Sequence, residues 1–402
     1  MRGMVMACLL GLTGFAGMTG CDSGATGGGD PADGGSMGDG GSGGDGGSTV
    51  QCTPEGAFDG APVTAPAGTW QWVPVPETKC RNGSATGFGV RINPNSDQLV
   101  IYLQGGGACF NGTTCAINPS QFSALEFAAW ATASGSSGFF DSGRSTNPLS
   151  DWNMVFIPYC TGDVHQGNAP SMDVPGLLSP KKQAFVGYAN IGYDLKRIVP
   201  TFPNVRRVLL TGESAGGFGA TFNYDRIAQA FCPKEVLLLD DSGPPMSDTY
   251  LAPCLQARWR QLWNFAATLP AACTACTTGN GGGLVNLTSY LAAKYPTAHL
   301  GLISSTQDSV ISAFFGYGQN SCNNIDGVAP VPLSGTTFTA GLNELRQNNL
   351  SGSSAWSSYY INSVVHTYIG GAGFYGTTVS GVKLNDWVSA FLSGTAMSQV
   401  GP

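Results

Sequence analysis

Residues 206–216, Arg-Arg-Val-Leu-Leu-Thr-Gly-Glu-Ser-Ala-Gly, decide the fold. Val208, Leu209 and Leu210 form a short apolar run without polar alternation, the pattern of a strand covered on both faces. That run leads directly into Gly212-x-Ser214-x-Gly216, followed by Gly217. A chain that turns from a buried strand into a helix this abruptly lifts the turn residue, Ser214, above the sheet edge. It needs small neighbours because the turn leaves no room for side chains. A helix starting near Ala215 then aims its free N–H groups and the positive end of its dipole at the same point.

The pentapeptide alone is weak evidence. With 59 glycines in 402 residues, roughly one chance match to Gly-x-Ser-x-Gly is expected. Two decoys exist, at residues 34–38 and 40–44, in a Gly/Ser/Asp tract with no strand before them and no helix after. Only the copy at Ser214 has strand and helix on either side.

Working outward, apolar runs at residues 99–103, 154–157, 236–239, 300–303 and 359–361 read as further strands. Between the second and the 208–210 run, Ala184, Tyr188, Ile191, Leu195 and Ile198 fall on one helical face, predicting a helix that ends before Pro200. Helices are also predicted at 255–267, 285–294, 338–347 and 384–392. Strand and helix in alternation give an α/β fold. Its sheet is mostly parallel, with helices on both faces and long loops, such as 161–180 and 273–283, at the carboxyl edge.

A serine hydroxyl becomes nucleophilic when a histidine takes its proton and a carboxylate orients that histidine. In the α/β-hydrolase order the acid and then the histidine follow the serine on later strands. Of the three histidines, His366 follows the strand at 359–361 and leads into a Gly-rich loop at 370–373. His299 opens a strand, at the wrong edge, and reads as a solvated residue. His165 precedes the serine in a long loop, so it is expected, with Asp163, to line the substrate pocket, where Phe315 is a further wall candidate. Asp308 follows the strand at 300–303 and is the favoured acid; Asp240 and Asp241, one strand earlier, are its rivals, and capping or loop hydrogen bonding is the alternative for all three. The glycines of Leu103-Gln104-Gly105-Gly106-Gly107-Ala108 supply oxyanion donors, at Gly106 and Gly107, with the Ala215 N–H as the other. No Gly-Lys-Ser/Thr follows them, so a phosphate loop is excluded, and no cofactor is called for.

The N-terminus carries Arg2, an apolar run at 4–15 and small residues, the pattern of an export signal. Met18-Thr19-Gly20-Cys21 resembles a bacterial lipobox, so residues 1–21 are expected to be a lipoprotein-type signal with Cys21 lipidated, the only membrane attachment expected. Residues 22–50, mostly Gly and Ser with five aspartates, cannot bury a core and read as a tether. This leaves 51–402 as one esterase domain, expected to be a monomer. The formal charge of −7 falls to −3 when residues 1–50, with five acids and one base, are set aside, which excludes a nucleic-acid partner. Setting aside Cys8 and Cys21 leaves ten of the twelve cysteines, and five disulfides are expected of an exported domain. Cys273-x-x-Cys276 could seed a zinc site, yet no second Cys pair or nearby His pair completes four ligands, so no metal is expected.

These residues resemble the pectin acetylesterases and the related Notum-type carboxylesterases. The resemblance rests on residues 102–110 (Tyr-Leu-Gln-Gly-Gly-Gly-Ala-Cys-Phe), 153–160 (Asn-Met-Val-Phe-Ile-Pro-Tyr-Cys), 212–217 and Asp241-Ser242-Gly243, and runs from about Cys80 to His366. It implies an α/β-hydrolase-like fold, a Ser214, Asp308, His366 triad, and disulfides Cys80 to Cys160 and Cys109 to Cys115. It also implies ester chemistry while leaving the acyl chain open. The leading expectation is a serine esterase that removes acetyl groups from a pectin-like plant polysaccharide. A carboxylesterase for small or lipid acyl esters is the first alternative, and a non-catalytic carbohydrate-binding lipoprotein on the same scaffold the second. The aromatics Trp259, Trp263, Phe314, Phe315 and Tyr317 are candidate pocket walls, although Trp259 and Trp263 at i, i+4 also suit a core.

Overall fold

The apolar run beside Ser214 becomes the middle of a nine-stranded sheet. In the computed structural model, which describes residues 51–176, 178–395 and 399–402, the sheet strands numbered among themselves are β1 (Trp70–Lys79), β2 (Ala85–Arg91), β3 (Gln98–Leu103), β4 (Asn153–Ile157), β5 (Arg207–Glu213), β6 (Glu235–Asp241), β7 (Leu300–Ser305), β8 (Trp356–Ile361) and β9 (Gln399–Val400). The expected signal, Cys21 and the tether lie outside the described residues. Across the sheet the order is β1-β2-β4-β3-β5-β6-β7-β8-β9. Only the β1/β2 and β2/β4 pairs are antiparallel; the remaining neighbours are parallel. This is the mostly parallel, α/β-hydrolase-like sheet that the sequence predicts.

Parallel strands need helices on both faces, and alternate residues of β3 and β5 accordingly enter two cores. Leu99, Ile101, Leu103, Val208 and Leu210 pack on one side, with Trp259, Trp263 and Phe338. Val100, Tyr102 and Leu209 pack on the other, with Phe139, Phe140, Trp387 and Phe391. Each of Val208, Leu209 and Leu210 is 0% exposed, and burying such a side chain fully is worth roughly 1.5–3 kcal/mol. The central strands are therefore the rigid platform from which the loops at their carboxyl ends project.

Some expected boundaries move. The helix predicted from Ala184 begins instead at Gly187 and runs to Thr201, with Ala184 in the short strand Gln183–Phe185. Pro200 lies inside its last turn rather than beyond it. A proline there has no N–H for the Lys196 carbonyl; the Gly60 N–H takes that carbonyl instead, at 3.0 Å, so the turn survives. The helix expected over 255–267 is Pro253–Trp263, stopped by Asn264 in left-handed backbone (φ 54°) before the short turn Phe265–Thr268. The hairpin β1/β2 had no counterpart in the sequence reading.

All ten cysteines of the body are paired: Cys52–Cys232, Cys80–Cys160, Cys109–Cys115, Cys254–Cys322 and Cys273–Cys276. Both pairings implied by the family resemblance are present. Cys273 and Cys276 are joined to each other, and among the described residues no cluster of His, Cys, Asp and Glu could hold a metal ion. No helix among the described residues is long and apolar enough to cross a membrane.

Candidate active site

Ser214 stands between β5 and the helix Ala215–Phe231, with φ 59° and ψ −120°. Such backbone is strained for a residue with a side chain and persists only where its surroundings enforce it. Two contacts do so. The Ser214 N–H donates to the Asp241 carbonyl at the end of β6 (2.8 Å), and Gly216 lies so close to Leu103 that any Cβ there would collide with the Leu103 carbonyl. Glycine at 216 is thus a steric requirement of the elbow.

The chains leaving β7 and β8 continue side by side past the sheet edge. Gln307 N donates to Ser363 O (3.1 Å) and Ser309 N to Val364 O (3.2 Å), which brings Asp308 opposite His366. Asp308 is 0% exposed and caps the helix Ser309–Gly316, one carboxylate oxygen accepting from the N–H groups of Val310 and Ile311, each at 2.9 Å. Its other oxygen meets His366 Nδ1 at 2.7 Å. A carboxylate whose rotation is blocked by two helix amides fixes the tautomer: Nδ1 carries the proton and Nε2 keeps its lone pair. His366 Nε2 is buried and has no hydrogen-bond partner among the described residues. Burial disfavours the imidazolium, but the hydrogen bond and charge of Asp308, with further contributions from Asp241 and Glu213, outweigh it and raise the His366 pKa above its ordinary value.

The glycine loop after β3 is held from behind. His165 Nε2 bonds the Gln104 carbonyl (2.8 Å), the Asn118 amide donates to Gly106 O (2.7 Å), and the Tyr159 hydroxyl donates to Gly107 O (2.8 Å). With their carbonyls tied back, the N–H groups of Gly106 and Gly107 find no acceptor among the described residues, and neither does that of Ala215. Gly107, Ala108, Ser214 and Ala215 border one small cavity, half-open to solvent and lined further by Val164, Phe218, Trp259, Ile311, Phe314 and Phe315. Its free volume is about 20 Å³, enough for about one water-sized group.

The structure thus brings Gly107, Ser214, Ala215 and Phe315 together around one cavity and joins Asp308 to His366, while Gly106 does not line that cavity. Asp163 and His165 do not reach the cavity. Asp163 is 0% exposed, its carboxylate taken by the Thr161 hydroxyl (2.6 Å) and the Gly187 N–H (2.8 Å). Burial lowers the His165 pKa to about 4, so this ring is neutral, and since a carbonyl only accepts, its Nε2–H donates to Gln104. The His165 ring braces the glycine loop. Asp240 holds the Thr221 hydroxyl (2.8 Å) and Gly243 N–H (2.7 Å), a loop and helix anchor. His299, at the opposite edge, packs half-buried against Phe391 rather than standing in solvent. Asn118 and Tyr159 escaped the sequence reading as braces; Tyr159 lies in a block already singled out, whereas nothing local marks Asn118.

A family model described as pectinacetylesterase matches residues 73–309, a span that includes the glycine loop, Ser214 and Asp308 and stops short of His366. The chain is 30% identical over 153 residues to palmitoleoyl-protein carboxylesterase notum2 of Xenopus laevis, covering 37% of this chain and 30% of that protein. It is 31% identical over 171 residues to palmitoleoyl-protein carboxylesterase NOTUM of Mus musculus, covering 41% and 31%. With the NOTUM protein of Drosophila melanogaster it shares 27% identity over 179 residues, 43% and 26% of the two chains. The matched part spans about three-tenths of the length of these relatives.

Proposed function

The chain belongs to the pectinacetylesterase family, a family of carboxylic ester hydrolases, and we propose that it removes acetyl groups from a pectin-like plant polysaccharide by a Ser-His-Asp acyl-enzyme mechanism. The observation that carries this reading is the cavity of about 20 Å³ in which Ser214, Gly107 and Ala215 meet a wall of apolar side chains. A space of that size suits the methyl group of an acetyl ester.

In this mechanism Ser214 Oγ attacks the ester carbonyl carbon and its proton passes to His366 Nε2, while Nδ1–H stays on Asp308. The carbonyl oxygen takes the negative charge and is stabilised by the N–H groups of Gly106, Gly107 and Ala215. Collapse breaks the carbon–oxygen bond to the sugar, and the imidazolium protonates the leaving hydroxyl. A water molecule then gives its proton to the same Nε2, attacks the acetyl-serine and releases acetate with Ser214 restored.

One observation favours a rival. The relatives above are named for palmitoleoyl-protein substrates, and an apolar wall also suits a longer acyl chain. The small volume favours acetyl. Acid release from acetylated pectin and acetylated xylan, beside a p-nitrophenyl ester series of rising chain length, separates the two. Activity should be greatest on acetate and fall by butyrate; activity rising to octanoate or beyond would reverse the choice. Five disulfides support an oxidising location, and the lipobox supports a lipid anchor at Cys21. Metabolic labelling with a fatty acid should mark the protein and be lost in Cys21→Ser.

A further inference from the structure

Asp241, a rival of Asp308 in the sequence reading, makes no hydrogen bond to the imidazole and is nonetheless engaged with the histidine loop. One of its carboxylate oxygens accepts the N–H groups of Tyr368 (2.6 Å) and Ile369 (2.8 Å), the other the Ser242 hydroxyl (2.9 Å). Its backbone carbonyl is the group that accepts the Ser214 N–H. Glu213 is its register partner on the neighbouring strand, so the two side chains project from the same face. Glu213 accepts the next amide in the series, Gly370 N–H (3.2 Å), and with its second oxygen the Tyr102 hydroxyl (2.7 Å). Three consecutive N–H groups, beginning two residues after His366, thus end on two acidic side chains from the strands that carry the nucleophile elbow. Between His366 and the first of them sits Thr367, a β-branched residue at φ 65°, a conformation that requires holding.

We propose that Asp241 and Glu213 are a positioning pair that locks the His366 loop to the Ser214 elbow and places negative charge behind the imidazole. The proposal rests on the Ser214, His366, Asp308 reading. Simple loop anchoring would not need acids, since an amide oxygen accepts an N–H as well. Acids add charge at the site where the histidine becomes a cation on taking the serine proton. The ionisable groups around His366 are Asp308 from the helix Ser309–Gly316, Asp241 from β6 and Glu213 from β5, with Tyr102 of β3 on Glu213 and Tyr368 within the loop. Among the described residues no Lys or Arg pairs with Glu213 or Asp241. Burial first, and then the charge of Glu213, push the Asp241 carboxyl up to about 7 against the pull of its amide donors. Asp241 therefore gains its charge only as pH rises toward neutrality.

The test measures kcat and KM for p-nitrophenyl acetate from pH 5 to 9 in the full chain carrying Glu213→Gln, Asp241→Asn or Asp241→Ala, with Asp308→Asn as a control. In the two isosteric variants the acid limb of kcat/KM should move to lower pH by about half a unit or more, because less negative charge stabilises the imidazolium. Their plateau kcat should fall several-fold with KM unchanged. Asp241→Ala, which leaves two amides without their acceptor, should lose on the order of 10²-fold in kcat. An unmoved acid limb in Glu213→Gln and Asp241→Asn would overturn the proposal and reduce the pair to loop anchors. If Asp241→Asn fails to fold, the half-buried Glu213→Gln decides alone. A fully active Asp308→Asn enzyme would instead bring down the triad reading itself, a separate failure.

Discussion

The two ends of one sheet are built on opposite rules. At the amino ends of the strands, charges are paired in the open: Arg207 with Glu235 (2.5 Å), Arg206 with Asp97, and Lys234 on the carbonyls of Pro203 and Val205. At the carboxyl ends, charges are buried and backbone is strained: Asp308, Asp240 and Asp241 are at most 1% exposed, and Val164, His165, Ser214, Ser242 and Thr367 all have φ between 50° and 67°. The same β-ladders support both ends. Where polar groups satisfy one another and remain solvated, the structure is stable and inert. Where donors and lone pairs are held unsatisfied by rigid surroundings, as at His366 Nε2 and the Ala215 N–H, an incoming ester can complete them.

That contrast breaks if substitutions at the two ends act alike. Ser214→Ala and His366→Ala should each lower kcat on p-nitrophenyl acetate by about 10⁵-fold or more, and Asp308→Asn by on the order of 10⁴-fold. His299→Gln, at the amino edge, should leave kcat within about two-fold. A large effect at His299, or a small one at Ser214, would mean that the reaction centre lies elsewhere. Circular dichroism on the same samples checks that the fold is intact.

A smaller effect comes from pH. In the proposed mechanism only neutral His366 accepts the serine proton, and, against burial, Asp308, Asp241 and Glu213 raise its pKa above the usual 6.5. Activity should therefore be full on the alkaline side and be lost as pH falls through a value above 6.5, about tenfold per unit below it. An acid limb lying well below 6.5 would show that the carboxylates do not act on the base. A buried carboxylate works the other way on stability. Asp240 is raised from 3.8 to about 7 by burial, against the pull of Thr221 and Gly243, so its contribution is fully present below about 4 and is lost as pH rises through about 7. The carboxyl edge thus becomes competent as it becomes less stable.

Most of this edge could be read from the chain because it depends on order along the sequence. Strand, Gly-x-Ser-x-Gly, later acid and later histidine are local patterns, and continuous apolar runs mark the parallel strands they follow. What could not be read depends on contacts between distant residues. Asp163 and His165 lie in a 20-residue loop that reads as a substrate wall; the structure folds it back so that the Gly187 N–H holds the Asp163 carboxylate, the Gln104 carbonyl holds the His165 ring, and the Asn223 amide holds the His165 carbonyl. Asp241 looked like a rival acid because its place after a strand is right, and only the register of β5 and β6 shows that its carboxylate serves the loop backbone. The hairpin β1/β2 was missed because Pro74 and Pro76 interrupt a run that still forms an edge strand, where prolines cost no shared hydrogen bond.

The smallest expected effect sharpens the contrast most cleanly at the inert end. Arg206 and Asp97 form an ion pair with side chains 85% and 38% exposed. Water already solvates both charges, salt screens them, and holding two long side chains together costs entropy, so such pairs are worth about 0.2–1 kcal/mol. Arg206→Ala should shift the denaturant midpoint slightly, less so at high salt, and leave kcat, KM and the pH profile unchanged. The Arg206 N–H still donates to the Asp97 carbonyl (2.7 Å), so the backbone register entering β5 survives the loss of the side chain. Should this exposed pair alter kcat, strain would have to pass from one end of β5 to the other, a distance of seven residues along a strand whose middle is fully buried and close-packed. The separation of a stable end from a reactive one would then fail, and Ser214 would have to be treated as mechanically coupled to the whole strand.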